Sequence, residues 1–191
     1  MDCFRVHGGS TFEPIMTPKQ IAYWAIGFKV MWVVALTQAA EHDWISAIAV
    51  WGYTFLCGSR QPKSIWMVVV AGVLCSLIGD GTLGWLGVVQ NPDGTALGFP
   101  PLWLVGLWCA FATLLPICFR WLFGRLWLAG TLGAISGTLS YVSGGKLGAL
   151  MVSNEGLEWI ALEWAIALPL LVWLASRGVE NVVETETHEV A

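Results

Sequence analysis

Four ionisable residues stand inside apolar runs of this chain: Lys29, Asp80, Lys146 and Glu163. Two are positive and two negative. An unpaired charge in hydrocarbon costs at least about 2.5–3.5 kcal/mol on insertion scales, so such residues call for partners. Counted inward from the outer ends of their segments at about 1.5 Å per residue, Lys146 and Glu163 lie about 9 Å deep, Asp80 about 13 Å and Lys29 about 15 Å. These depths permit Asp80 to pair with Lys29 and Lys146 with Glu163, and Tyr141 to donate a hydrogen bond to Asp80. Three readings stay open: ion pairs that hold helices together, a polar cavity opening outward that takes a lipid headgroup or small solute, and snorkelling of Lys146 to the interface.

The chemistry of better-known membrane sites is missing. His7, His42 and His188 lie outside the apolar runs, which leaves no base for a serine nucleophile and no paired histidines for haem or di-iron ligation. Glu41-His42-Asp43 is a solvated turn, because adjacent residues do not converge on one ion. Gly79-Asp80 matches the Gly-Asp of intramembrane aspartyl proteases, but that mechanism needs two aspartates, and no other Asp lies inside a span. There is no phosphate loop, dinucleotide fingerprint or basic groove for nucleic acid. No catalytic residue, metal site or cofactor is assigned. Cys3, Cys57, Cys75, Cys109 and Cys118 are scattered and read as small packing residues.

The elements that position these residues follow from composition. The chain is 57% hydrophobic and 12% charged, where a soluble domain carries about twice that charged fraction. The expected class is an all-α polytopic membrane protein, a bundle of about six transmembrane helices. The expected spans are about 20–39, 44–58, 64–89, 101–123, 126–152 and 157–175, within a transmembrane domain of 20–176. A polar segment, 1–19, precedes it. An acidic tail, 177–191, follows, with Glu180, Glu184, Glu186 and Glu189, and its composition predicts disorder. Met1 to Gln20 shows no signal-peptide pattern. The second span, at 15 residues and about 22 Å, is short for a 30 Å core. Pro116 and Pro169 interrupt the fourth and sixth.

Seven of the nine Lys and Arg residues (Arg5, Lys19, Arg60, Lys63, Arg120, Arg125 and Arg177) fall on one side of a six-span arrangement. The opposite loops hold Glu41, Asp43, Asp93 and Glu155. The positive-inside rule then predicts both termini in the cytoplasm. Tryptophans mark the same borders: Trp24, Trp66, Trp121, Trp127 and Trp173 at inner ends, and Trp44, Trp85, Trp103 and Trp159 at outer ends. Trp32, Trp51, Trp108 and Trp164 sit deeper, as packing residues or as a stacking wall for a ligand.

Small residues recur every fourth position around the acid: Gly72, Ser76, Asp80, Gly84. Gly72 to Val89 can be laid over Gly133 to Leu150 without gaps, giving a second row of Gly133, Gly137, Tyr141 and Gly145, with Tyr141 opposite Asp80. The following segments share a tryptophan spacing, Trp103/Trp108 and Trp159/Trp164. Such rows let helices approach closely, so the third and fifth helices are expected to pack together. The repeat is read either as a duplicated hairpin or as convergence on common membrane residues.

Pro101-Leu102-Trp103-Leu104 with Leu107 to Ala112, followed by Gly133 to Tyr141 and Gly144 to Gly148, resembles an uncharacterised family of small multi-pass bacterial inner-membrane proteins, known only as a domain of unknown function. Thr138 stands where family members usually have proline. The resemblance implies a location in the bacterial inner membrane and no established activity. Family genes often neighbour ones for fatty-acyl modification, which implies a lipid-related accessory role by association. The functional expectation is a binding or accessory protein for membrane lipid or a small apolar molecule, or a partner of another membrane protein. A small oligomeric transporter and a lipid-modifying enzyme are the alternatives.

Overall fold

The computed structural model describes residues 4–7, 11–14 and 16–190, with side chains described for 16–179. It contains six helices: α1 (Pro18–Gln38), α2 (Asp43–Gly58), α3 (Ile65–Trp85), α4 (Leu102–Cys118), α5 (Leu126–Lys146) and α6 (Leu157–Val190). Two short antiparallel ribbons complete it, β1 (Phe4–His7) with β2 (Thr11–Pro14), and β3 (Val89–Gln90) with β4 (Met151–Val152). Three helical segments are long and apolar enough to cross a membrane: Pro18–Gln38, Ile65–Trp85 and Asn154–Val179. The expected irregular tail is helical, since α6 runs to Val190. Cys3 and the tail carboxylates lie outside the described side chains.

The bundle is apolar on its outside. On α1 the exposed face carries Tyr23, Ile26, Val30 and Val33; on α3, Met67, Val70, Leu74 and Ile78; on α6, Trp159, Leu162, Ile166, Leu170 and Trp173. Each row follows the three-to-four-residue spacing of one helix face. Contiguous apolar rows on several helices are far more than a water-facing surface normally shows. The hub is α4, most of whose side chains are buried and which packs against α1, α2, α3 and α6. Trp103, expected at an outer border, is buried in this core, because α4 is surrounded by other helices. Among the described residues the four cysteines are free thiols, with Cys57 and Cys109 buried.

The ends of α3 and α5 explain why both stop earlier than hydropathy suggests. Gly87 (φ 73°) and Gly148 (φ 78°) take the left-handed conformation that favours glycine. Around them the Val88 N–H donates to the Leu83 carbonyl (2.9 Å) and Gly87 N–H to Gly84 (3.2 Å); Ala149 N–H donates to Gly144 (3.0 Å) and Gly148 N–H to Gly145 (3.1 Å). Both are the glycine-terminated cap with paired hydrogen bonds, in the register that the repeat alignment predicts. In the loop after β3, Asp93 accepts from the Thr95 hydroxyl (2.7 Å) and N–H (2.9 Å), which holds its carboxyl below the usual range. Those bonds are therefore lost only in acid, as the pH falls through the lowered value.

The glycine rows do not pack α3 on α5. Each faces the helix that follows it. A Cβ on Gly72 would lie 3.1 Å from the Trp108 carbonyl oxygen and 3.5 Å from Ala112 Cβ; one on Gly133 would collide with the Trp164 carbonyl oxygen and lie 3.0 Å from Leu168 Cβ. The two contacts are equivalent under the repeat, so α3–α4 and α5–α6 are two copies of one hairpin. Gly130 adds to the second, against the Ala165 carbonyl, which Pro169, lacking an N–H, leaves without its helical donor. Gly137 lies under the Trp164 indole, and Gly84 and Gly145 fit the neighbouring loops rather than a helix.

Three pairs of equivalent residues meet one another: Gln90 pairs with Met151, the Trp108 and Trp164 rings stack at 4.2 Å and 18°, and Tyr141 bonds to Asp80. Residues that touch their own equivalents straddle a pseudo-twofold axis, and these three pairs trace it through the bundle. Overpacking typically costs about 1–3 kcal/mol. Gly133→Ala is expected to lower the midpoint of thermal unfolding in detergent. Gly52→Ala, where nothing lies within 4 Å of an added Cβ, should leave it unchanged or raise it.

Candidate functional site

Asp80 is fully buried on the pseudo-twofold axis. It closes a π-helical turn, Ser76–Asp80, set inside α3 between the α-helical stretches Ile65–Cys75 and Gly81–Trp85. Such single-turn π-bulges widen a helix locally and are frequent at functional positions. Three donors converge on its carboxylate. Ser76 Oγ and Trp108 Nε1 each donate to Oδ2 at 2.8 Å, and the Tyr141 hydroxyl donates to Oδ1. They come from α3, α4 and α5, so one side chain ties three helices together. Hydrogen bonds to an ionised acceptor are the strong ones, and three of them stabilise a buried carboxylate without a cation.

Glu163, on α6, packs against the π-turn. A Cβ on Gly79 would collide with its carboxyl group, so glycine is the residue that lets Glu163 in. Both Glu163 carboxyl oxygens, and Nε1 of neighbouring Trp164, are buried without a hydrogen-bond partner among the described residues. The Glu163 and Asp80 carboxyl groups are close enough to interact electrostatically. The Trp164 ring is held between Trp108, Gly137 and Phe111, the last edge-on at 5.7 Å.

The structure therefore brings together Asp80, Tyr141 and Glu163 and leaves out the two lysines. Lys29 is exposed, with Nζ 5.1 Å from the centre of the Trp32 ring. Lys146 is exposed at the last residue of α5. Neither expected ion pair forms, and no described carboxylate lies within salt-bridge distance of a described Lys, Arg or His. The reason is rotational: depth along a helix places two residues at one level but does not turn them toward each other. Ser76, expected only as a packing residue, is a hydrogen-bond donor, and its place one helical turn before Asp80 was the available signal. Nothing in the sequence tied Trp108 to Asp80.

Fold and site define a class: a six-helix bundle, apolar outside, with three helices long and apolar enough to cross a membrane and two acids, Asp80 and Glu163, packed at one turn of α3 in the interior. The chain belongs to the family described as "Protein of unknown function (DUF2878)", whose model matches residues 21–170. No curated protein and no solved structure matches it.

Asp80→Asn turns one acceptor into a donor that faces groups already donating. It is expected to destabilise the detergent-solubilised protein by about 2–4 kcal/mol, with Tyr141→Phe losing about 1–2 kcal/mol. Glu163→Gln removes no hydrogen bond and keeps the shape, so its effect should stay within about 1 kcal/mol. Thermal or denaturant unfolding monitored by tryptophan fluorescence checks the order of the three.

Proposed function

We propose that this chain is a six-span integral membrane protein of the bacterial inner membrane, with both termini cytoplasmic. In this reading it is a non-catalytic binding or accessory protein for a membrane lipid or small molecule. The observation that carries the binding role is Glu163: two buried carboxyl oxygens with no hydrogen-bond partner among the described residues, beside an Asp80 whose own needs are met. A carboxyl group kept this way in a stable core costs free energy unless something satisfies it. The chemistry favours a ligand group that donates hydrogen bonds, such as the polar head of a lipid or a small polar solute, entering from the side where α6 begins.

The topology rests on charge. Arg60 and Lys63 lie between α2 and α3, Arg120 and Arg125 between α4 and α5, and Arg177 far along α6. Asp93 and Glu155 lie in the opposite loops, and the one described basic residue on that side is Lys146, at the end of α5. The positive-inside rule places the basic loops in the cytoplasm. At 16 and 17 residues α2 and α4 reach about 24–26 Å, enough to cross a locally thinned bilayer.

A second reading, a small transporter, is favoured by the two equivalent hairpins that meet at the polar site, since repeats related by an axis through the binding site recur in transporters. Native mass spectrometry of protein released from membrane or mild detergent separates the outcomes. The binding reading expects a co-purified lipid or solute that is lost in folded Glu163→Gln. A wild-type protein that carries nothing, or a variant with full occupancy, would sink it. The transporter reading expects uptake that fails in Asp80→Asn. Reporter fusions at both ends should be active only on the cytoplasmic side.

A further inference from the structure

We propose that Asp80 and Glu163 form a proton-binding carboxyl pair, in which Asp80 stays ionised and Glu163 takes up and releases the proton. This goes beyond ligand binding and does not depend on it. The two carboxyl groups differ in what holds them. Asp80 accepts from Ser76, Trp108 and Tyr141, which solvates its negative charge from three helices. Glu163 accepts from nothing among the described residues, although both of its oxygens are buried. Two adjacent buried carboxyl groups cannot both ionise without a cation, and the one without donors is the one that keeps the proton.

Among the described residues the surroundings supply no cation to take the proton's place. From α3, Cys75 and Asp80 lie within electrostatic reach of Glu163; from α5, Tyr141 does; from α4, Trp108 contributes only an N–H, and that is given to Asp80. Lys29 and Lys146 are turned outward. On α6 itself the other described acids, Glu158 and, just before it, Glu155, are exposed at the start of the helix. Every titratable neighbour is therefore an acid. Space points the same way. The Gly79 backbone lies against the Glu163 carboxyl so closely that a single methyl group would not fit. On that face of the carboxyl only a proton binds without displacing the backbone. The Glu163 side chain as a whole is only half-buried, and it lies about 9 Å from the start of α6, so exchange with the adjacent interface needs no large movement.

The π-turn carries this arrangement. Within it Gly79 lies toward α6 and Asp80 toward α4 and α5 at successive positions, so the backbone admits one carboxyl group while the next side chain supplies the other. The first hairpin has Leu107 at the position equivalent to Glu163, so the pair is a single acid from each half rather than a symmetric set.

The test uses full-length protein in liposomes or detergent at neutral pH. Infrared spectroscopy should show the carbonyl stretch of a protonated carboxylic acid, sensitive to deuterium exchange, and Glu163→Gln should lose it. Dicyclohexylcarbodiimide, a hydrophobic reagent that attacks protonated carboxyl groups, should label the peptide containing Glu163, with labelling falling as the pH rises. Mapping the label in the wild-type protein keeps the test decisive if the variant does not fold. Absence of the band and of the label at neutral pH, or a band unchanged in Glu163→Gln, would overturn the proposal. A protein with the band but no co-purified ligand would retain the proton pair and lose only the binding role.

Discussion

The Asp80 carboxylate is the constraint around which the bundle closes. A carboxyl group without partners in this interior would be costly, and Asp80 is met there by neutral donors rather than by a counter-ion. The donors reach it from α3, α4 and α5, so burial of the acid requires three helices to be in place together. Removing one donor weakens the site, whereas removing the acceptor leaves several polar groups facing each other across a dry core. That asymmetry makes the site a determinant of helix orientation as much as of chemistry.

The repeated hairpin is what delivers those donors. Two copies of helix, glycine cap, strand and helix pack around a shared axis, and on such an axis each residue meets its own equivalent. An acid on the axis of a perfect duplication would face another acid. Here Asp80 meets Tyr141, which converts a repulsive contact into a hydrogen bond. Likewise Trp108 meets Trp164, and identical rings stack well. Asymmetry enters again at Glu163, whose counterpart is Leu107. The two hairpins thus differ from each other at the positions where polar groups gather near the axis.

Much of this was legible in the residues. The glycine rows, the Asp80–Tyr141 equivalence and the family resemblance could be read directly, because a repeat in register and a run of small residues are linear features. The partner of each row could not. The third and fifth helices were expected to pack together through these rows, yet Gly72 and Gly133 each lie under a tryptophan carbonyl of the next helix. A small-residue row says that something approaches closely and leaves open what does. The same limit applies to Lys29 and Lys146, placed at the right depth for Asp80 and Glu163 but on outward faces. The π-turn was also invisible, since one extra residue in a helical turn leaves no compositional mark.

By itself, then, the sequence determined a helical chain with apolar outer faces, its family, the internal repeat and the presence of costly acids, because each depends on residue type and local spacing. Only the tertiary structure decided that Asp80 is hydrogen-bonded rather than ion-paired and that Glu163 is its neighbour. Those facts depend on the rotation of helices about their own axes and on which helices touch. Packing and buried hydrogen bonds set both, over separations that no local pattern encodes.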